Sequence, residues 1–535
     1  MLARVFTLTL TRTFTLTLVC VLGIGSAAAA DKGAGTGAVS AGAREPAGLE
    51  RQLDAFIAKG MIDWKIPGLS IVVVNDKGVV YEKGFGVREV GKPGKVDQFT
   101  QFGMMSTTKA MTALALAMLV DEGKVKWDDP VVKHLPRLRL PNAYLTEHVT
   151  VRDVLRHTSG VRDADLLWVR EDMNTEQVLA RLDRVAPTTA LRSDFIYNNV
   201  MYQVAGEVIG AASGMRWEKF ITTRIMAPLG MTESFATMSA MRAGHKSNVS
   251  LPHAEIDAAI RPIDEAGVDI VPAAGAAWSN AHDAGKWLAF LLAEGKVGER
   301  RLVSEANFKA LFSPQVAISD PEQWGYPTLA LTRSRVTAYG LGWFLQDYRG
   351  QYVAMHTGSM PGRTAIAGIL PDAKIGVYVF GNLDHAEFRH ALMWKVFDMY
   401  TDAPVRDWNG EALKLYGDRK KARLARQANA DAKRVLNTRH SHALEAYTGT
   451  YGHPTWGDVT VALEAGVLVL RVGPSPNNLG RLEHWHHNTF RAKMGNGMDG
   501  WDQFGFRAAA DGSIDAITMF DESFVRVVPA KATTI

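Results

Sequence analysis

A serine and a lysine three positions apart are the residues of this 535-residue sequence best suited to covalent chemistry. Ser106 and Lys109 are the first and last residues of the run Ser106-Thr107-Thr108-Lys109. This run stands just before the apolar run from Ala110 to Leu119. Residues three apart on a helix share a face, so the lysine amine can reach the serine hydroxyl. The hydroxyl becomes a good nucleophile when a neutral amine takes its proton. An S-x-x-K pair is nevertheless expected by chance in a chain this long, so alone it does not establish a catalytic site.

A tyrosine and an amide form the second candidate element, in the run Tyr197-Asn198-Asn199. A phenol at Tyr197 could pass a proton between the nucleophile and a leaving group, and Asn199 could bind a substrate carbonyl. The same residues are also typical of a loop that caps the following helix. Taken locally, the capping interpretation is the simpler one.

The third element is the run His356-Thr357-Gly358-Ser359, which follows the strand-like residues 352–355. Gly358 would let a substrate approach the strand edge, and the backbone N–H of Ser359 could pair with that of the nucleophilic serine as an oxyanion hole. His356 and Thr357 would offer hydrogen bonds to a substrate carboxylate or carbonyl.

Together, and in this order, the three elements resemble the serine β-lactamase and DD-peptidase superfamily, specifically its class C and esterase-like branch. Tyr197 follows Ser106 by 91 positions, and His356 follows Tyr197 by 159. The resemblance covers roughly residues 48 to 400, and further stretches similar to the same family are 128–136, 149–160 and 228–231.

The resemblance implies acyl transfer in two steps. Ser106 would attack a carbonyl, the N–H groups of Ser106 and Ser359 would hold the oxyanion, and water would then release the acyl group. Lys109 and Tyr197 would share the acid and base roles, and the sequence leaves open which of them takes the seryl proton.

One departure from the family pattern bears on the substrate. His356 stands where class C β-lactamases usually carry lysine, and an H-T-G triplet is instead typical of DD-carboxypeptidases, D-aminopeptidases and esterases of the superfamily. The resemblance therefore favours cleavage of amide bonds in short or unusual peptides, such as those containing D-residues. The same layout of motifs is found in a peptidase of the superfamily that cuts linearised microcystin. Linearised microcystin is therefore one specific candidate substrate. The alternatives are a carboxylesterase acting on small acyl esters, a weak class C-like β-lactamase and, from another class, a non-catalytic binding protein.

The elements that must position these residues follow an α+β pattern. Apolar runs at 69–75 and 79–85 flank a short turn and predict a β-hairpin, and strand-like runs recur at 351–355 and 375–382. Between them, apolar residues recur at helical spacing at 109–122, 201–212 and 283–294. Strands at both ends of a helical middle predict one sheet built from distant parts of the chain. With the resemblance, the expected fold is a β-lactamase/transpeptidase-like domain, an antiparallel sheet flanked by helices with a helical subdomain, followed by a small all-β domain.

The predicted domain organisation has five parts. They are a signal peptide at 1–30, a flexible leader at 31–47, the hydrolase domain at 48–405, a basic helical linker at 406–439, and at 440–535 a β domain similar to the lipocalin-like module of many such hydrolases. The signal peptide has two arginines, an apolar stretch and an Ala-x-Ala cleavage site, which predicts a periplasmic or secreted protein.

Composition and charge restrict the expected partners. With 60 basic and 56 acidic residues, the net charge of +4 gives no reason to expect a nucleic acid partner. We expect a small peptide or acyl-ester substrate and no cofactor, and association of copies through the β domain is one further expectation. His484, His486 and His487 form a histidine cluster, but no second set of ligands at zinc spacing accompanies it, so we expect no metal.

Overall fold

The fold is that of a computed structural model, which describes residues 46–244, 247–319, 329–401, 403–495, 497–498 and 500–528. The predicted signal peptide and nearly all of the predicted leader lie outside these residues. No helix within the described residues is both long enough and apolar enough to cross a membrane.

An eight-stranded antiparallel sheet forms the centre of the first domain, and it joins strands from both ends of that domain. The sheet order is β2-β1-β14-β13-β12-β11-β10-β9. The strands, numbered along the chain, are β1 (Gly68–Asn75), β2 (Gly78–Gly86), β9 (Val316–Ala317), β10 (Thr337–Tyr339), β11 (Phe344–Tyr348), β12 (Gln351–Met360), β13 (Arg363–Leu370) and β14 (Ile375–Gly381). Three two-stranded pairs complete the domain: β3 (Phe102–Gly103) with β6 (Trp278–Ser279), β4 (His253–Ile256) with β5 (Ala259–Pro262), and β7 (Lys296–Val297) with β8 (Arg300–Arg301).

Sixteen α-helices are described, and thirteen of them precede β9 in the chain. They are α1 (Leu49–Trp64), α2 (Lys109–Asp121), α3 (Val131–His134), α4 (Ala143–His148), α5 (Val151–Leu155), α6 (Leu166–Val169), α7 (Thr175–Ala180), α8 (Asn199–Ser213), α9 (Trp217–Phe220), α10 (Met238–Gly244), α11 (Pro272–Gly275), α12 (Ala281–Leu292), α13 (Glu305–Leu311), α14 (Leu329–Thr332), α15 (Phe388–Tyr400) and α16 (Trp408–Asp431).

Both faces of the sheet are covered, because side chains of a strand point alternately to its two sides. On β1, Ile71 and Val73 belong to the core that includes α1 and α15, whereas Val72 and Val74 belong to the core that includes α2 and α12. The helix α2 lies inside this second core, and its residues 109–119 are all buried. A sheet with helices on both faces and a helical subdomain confirms the predicted α+β class.

The second domain is a closed eight-stranded barrel. Along β16, buried and exposed residues alternate from Gly457 to Val461, as expected for a strand with one face inside a barrel. Pairing of Tyr451 with Arg526 joins the first strand to the last and closes the barrel. The strands are β15 (Gly449–His453), β16 (Gly457–Glu464), β17 (Val467–Arg471), β18 (Leu479–His486), β19 (Thr489–Ala492), β20 (Asp502–Ala508), β21 (Ile514–Met519) and β22 (Glu522–Arg526).

Candidate active site

Ser106 lies in a tight turn at the entrance to the buried helix α2. The turn is a 3₁₀ helix, Met105–Thr108, and α2 begins at the next residue. Met105 has a φ of 52°, in the left-handed region that side chains other than glycine rarely adopt. Such strain persists only where the surroundings enforce it, and it recurs at functional sites. Ser106 itself is half-buried, so part of its surface is accessible to solvent.

The amine of Lys109 contacts Ser106 as the spacing predicts. Its Nζ lies 3.1 Å from the Oγ of Ser106, 2.7 Å from the Oδ1 of Asn199 and 2.8 Å from the carbonyl oxygen of Ala274. Burial lowers the pKa of Lys109 to about 7, although the negative charge of Asp165 acts to raise it. A neutral amine has two N–H groups and one lone pair, so it can donate to the two carbonyl oxygens and accept the proton of Ser106. The surroundings therefore suit Lys109 as a base.

A pair of aspartates holds Asn199 in this position. Both oxygens of Asp165 accept hydrogen bonds from the Nδ2 of Asn199, at 3.1 and 2.9 Å, and Oδ1 also accepts from the indole N–H of Trp168 at 2.8 Å. The Oδ1 of Asp163 accepts from the backbone N–H of Asp165 at 2.9 Å. Burial, followed by the negative charge of Asp165, raises the pKa of Asp163 well above its usual value. Burial also raises the pKa of Asp165, although hydrogen bonds from Trp168 and Asn199 and the charge of Lys109 oppose this effect.

The run Tyr197-Asn198-Asn199 caps helix α8 and also places Tyr197 beside Lys109. Asn198 is the N-cap of α8, because its side chain accepts a hydrogen bond from the N–H of Met201 at 3.1 Å. Tyr197 places its ring centroid 4.8 Å from the Nζ of Lys109. The ring of His157 lies against that of Tyr197, with 4.3 Å between centroids, and its Nδ1 accepts from the N–H of Asn198 at 3.1 Å. His157 thus orients the loop that carries Tyr197.

Strand β12 runs beside the turn that holds Ser106. A Cβ on Gly358 would lie 2.4 Å from the carbonyl oxygen of Met104, 2.9 Å from the Cβ of Met105 and 3.1 Å from the nitrogen of Ser106. Real Cβ atoms do not approach a backbone oxygen so closely, so only glycine allows this contact.

The register of β12 directs the N–H of Ser359 away from β13. Met360 and Arg363 flank a two-residue turn and form a hydrogen-bonded pair, so the preceding pair, Ser359 and Thr364, is a non-hydrogen-bonded one. The N–H of Ser359 therefore points away from β13. β11 pairs with β12 only over 351–355, so this side of Ser359 is not paired with β11. This direction is compatible with the oxyanion hole predicted for the N–H groups of Ser359 and Ser106, which stays a prediction.

The side chain of His356 is surrounded by protein groups. The side chain is fully buried. Its Nδ1 donates to the carbonyl oxygen of Thr357 at 2.7 Å, and its Nε2 accepts from the hydroxyl of Tyr339 at 3.0 Å. Burial, together with the charge of Lys109, lowers the pKa of His356 to about 3. The imidazole is therefore neutral, and both of its nitrogens have protein partners. Direct contact of His356 and Thr357 with a substrate stays a prediction.

Several residues of the site carry no sequence signal that identifies their role. Asp165 and Asp163 follow the His157-Thr158-Ser159-Gly160 run, but nothing in a D-A-D pattern points to a lysine more than 50 positions away. The acceptor from Ala274 is a backbone carbonyl, which no residue type reveals. Within the described residues, no group of three or more histidine, cysteine, aspartate or glutamate side chains is placed to hold a metal ion.

Fold and site together define a hydrolase of the β-lactamase fold. Residues 53–396 match the family described as Beta-lactamase, and the chain belongs to this family. Residues 433–528 match a domain of unknown function, DUF3471.

Relatives with assigned names show similarity over most of the chain. The unguisins hydrolase ungD' of Aspergillus campestris is 27% identical over 439 residues, covering 76% of this chain and 77% of that protein. Protein flp of Staphylococcus aureus strain N315 is 24% identical over 340 residues, covering 63% of each. Among solved structures, an octameric penicillin-binding protein homologue from Pyrococcus abyssi shares the fold, with a TM-score of 0.58, 22% identity, and coverage of 89% of this chain and all of that one. SurE has a TM-score of 0.54 and 20% identity, covering 90% of this chain and all of that one.

Proposed function

We propose that this protein is a serine hydrolase that forms an acyl-enzyme on Ser106 and cleaves amide bonds in short or unusual peptides. The observation that carries the proposal is the buried amine of Lys109, 3.1 Å from the Oγ of Ser106, with two carbonyl oxygens to occupy its N–H groups. A lysine with a pKa of about 7 is largely neutral in slightly alkaline solution, so it can take the seryl proton.

The chemistry proceeds in two transfers. The Oγ of Ser106 attacks the substrate carbonyl carbon while its proton moves to Lys109, and the oxyanion accepts from the N–H groups of Ser106 and Ser359. The C–N bond breaks as the leaving amine takes a proton, with Tyr197 beside the lysine to pass it on. Water then adds to the acyl group, gives up a proton to the same base and releases the acid with Ser106 restored.

Two observations support a peptide as the substrate. The position where the family resemblance implies a lysine holds His356, which is buried and neutral and so supplies no charge for the carboxylate of a β-lactam. A relative aligned over three quarters of both chains is named a hydrolase of unguisins. Linearised microcystin and peptides containing D-residues are the specific substrates to test first.

Labelling with a fluorophosphonate tests the nucleophile. Mass spectrometry should find one adduct on Ser106 in the wild type and none in Ser106→Ala. Ser441→Ala, which changes an exposed serine before the first strand of the barrel, is the matched control and should label normally. Unchanged turnover in Ser106→Ala, or an adduct elsewhere, would contradict the proposal.

Parallel assays identify the bond that is cleaved. Libraries of L- and D-residue peptide amides, p-nitrophenyl esters and a chromogenic cephalosporin should be compared by kcat/KM with the same enzyme. We expect peptide amides to be cleaved and the cephalosporin to be a poor substrate. Ester turnover without any peptide cleavage would make the protein a carboxylesterase, and covalent labelling without turnover of any substrate would favour a binding protein.

A further inference from the structure

A buried arginine on helix α15 lies behind the part of β12 that faces Ser106. Arg389 is 3% exposed. Its Nη1 donates to the carbonyl oxygens of Gly358 and of Ala365, the latter at 3.0 Å. Its Nη2 donates to the Oγ of Ser359 at 2.9 Å and to Glu387 at 3.3 Å, and its Nε donates to Glu387 at 3.1 Å.

These contacts use all five N–H groups of the guanidinium. Although burial raises the pKa of Glu387, the charge of Arg389 holds it well below its usual value, so the pair is ionised. Since each donor already has an acceptor, Arg389 could bind a substrate carboxylate only by giving up one of these bonds. Its contacts indicate a role within the protein rather than on the substrate.

Two of the contacts act on the expected oxyanion donor. The carbonyl of Gly358 and the N–H of Ser359 belong to one peptide unit. A charged donor on that carbonyl fixes the plane of the peptide and polarises it, so the N–H becomes a stronger donor. Because a guanidinium cannot accept, the Oγ of Ser359 accepts from it and keeps its own O–H for another partner.

We propose that Arg389, held in place by Glu387, is a positioning residue that orients and polarises the Gly358–Ser359 peptide as one half of the oxyanion hole. The inference rests on the proposed acylation of Ser106. It predicts that loss of the guanidinium weakens binding of the transition state more than binding of the substrate.

Arg389→Lys tests this inference with a mild change, because lysine keeps the charge but cannot make the paired contacts. Removing one oxyanion donor outright costs about 10²–10³ in kcat, so misorienting it should lower kcat by roughly 10–100-fold with KM little changed. Affinity for a boronic acid, whose adduct on Ser106 places an oxygen in the oxyanion hole, should fall in parallel. Glu387→Gln should show the same pattern more weakly, because the guanidinium keeps its contacts to β12.

Two further variants separate positioning from general stability. Arg526→Lys changes an arginine of the barrel that contacts a backbone carbonyl and Tyr451, and it should leave kcat and boronate affinity at wild-type values. Ser359→Ala keeps the backbone N–H, so its effect should appear in KM rather than in boronate affinity. All rates are expressed per active site titrated with fluorophosphonate and measured well below each variant's Tm.

The outcomes are distinguishable. If Arg389→Lys lowers Tm but keeps its boronate affinity and its kcat per labelled site, the arginine is only structural and the inference is wrong, while acylation of Ser106 stands. If wild-type Ser106 does not label at all, both the proposed function and this inference are overturned.

Discussion

At the scale of single residues, the reactivity of the site depends on the charge state of Lys109. Burial favours the neutral amine, whereas the nearby negative charge of Asp165 favours the ammonium, and the balance gives a pKa of about 7. Asn199 lies between the two, because it donates to Asp165 and accepts from Lys109. The aspartate thus tunes the lysine without touching it.

Asp165→Asn should therefore shift the acid limb of the pH profile. In the wild type, acylation should be lost as pH falls through about 7, where Lys109 becomes protonated. Removing the charge that raises the pKa of Lys109 should move this limb to lower pH. The measurement is kcat/KM against pH with one fluorogenic substrate.

Asp163→Asn is the matched control for this prediction. The charge that raises the pKa of Lys109 is that of Asp165, whereas the pKa of Asp163 is itself raised well above its usual value. An amide of the same shape at position 163 should therefore change the charge near Lys109 less. The acid limb of the pH profile of Asp163→Asn should stay near that of the wild type. Equal shifts in both variants would mean that packing of the loop, and not the charge of Asp165, sets the pKa of Lys109.

The residues that could be predicted from the sequence are those whose contacts are local or carried by a motif. Ser106 and Lys109 meet because they are three apart at a helix start, a distance that the chain itself dictates. Asp165 and Arg389 reach the site only through tertiary packing, so their spacing carries no signal. His356 was identified by type, but whether its ring faces the cleft or the core depends on strand register, which one sequence does not reveal.

At the scale of elements, the site depends on the close approach of β12 to the turn before α2. Gly358 makes this approach possible, because its missing side chain leaves room for the backbone around Met104 and Ser106. The strand β13 holds β12 from the other side through a continuous ladder. Unlike the equally buried β1 and β14, β13 was not predicted from the sequence, because alanine and glycine interrupt its apolar run at Ala365, Ala367 and Gly368 and are depleted in strands.

Gly358→Ala should disrupt this contact. Its Cβ would lie 2.4 Å from the carbonyl oxygen of Met104, so the strand or the turn must move. A displacement of about 1 Å can cost about 10²-fold in rate, and we expect a loss of kcat of that order. Kinetics with titrated active sites and a thermal melt measure the two effects.

Gly505→Ala provides the comparison, because it also changes a glycine within a strand but has no atom within 4 Å of the added carbon. Its kcat should equal that of the wild type. If Gly358→Ala retained full activity at the same temperature, the fit between β12 and the Ser106 turn would not be required.

At the scale of the whole molecule, the barrel docks on the segment that carries Asp165. Arg162 pairs with Glu522 of the barrel at 2.8 Å, and the carbonyl of Val169 accepts from the Nδ2 of Asn478 at 2.6 Å.

The barrel also contacts the end of this segment. The turn between β15 and β16 offers two carbonyl oxygens, which accept hydrogen bonds from Arg181 and Arg184. A cavity of about 410 Å³ lies in the same region, with Arg170 and Asp458 among its lining residues. All these contacts involve residues of 161–184. The barrel therefore packs against the segment whose Asp165 binds Asn199, the residue that contacts Lys109.

Gly473→Ala should reveal whether this bracing matters for catalysis. Gly473 has a φ of 77°, and an added Cβ would lie 2.1 Å from the carbonyl oxygen of Arg170 across the domain contact. Gly466→Ala is a close match, because its φ is 78° in the same barrel but nothing lies within 4 Å. Both variants should lose about 1 kcal/mol of stability from the left-handed backbone. Only Gly473→Ala should speed hydrogen exchange in 161–184 and lower kcat/KM. Equal kinetics in the two variants would mean that the barrel contributes to stability alone.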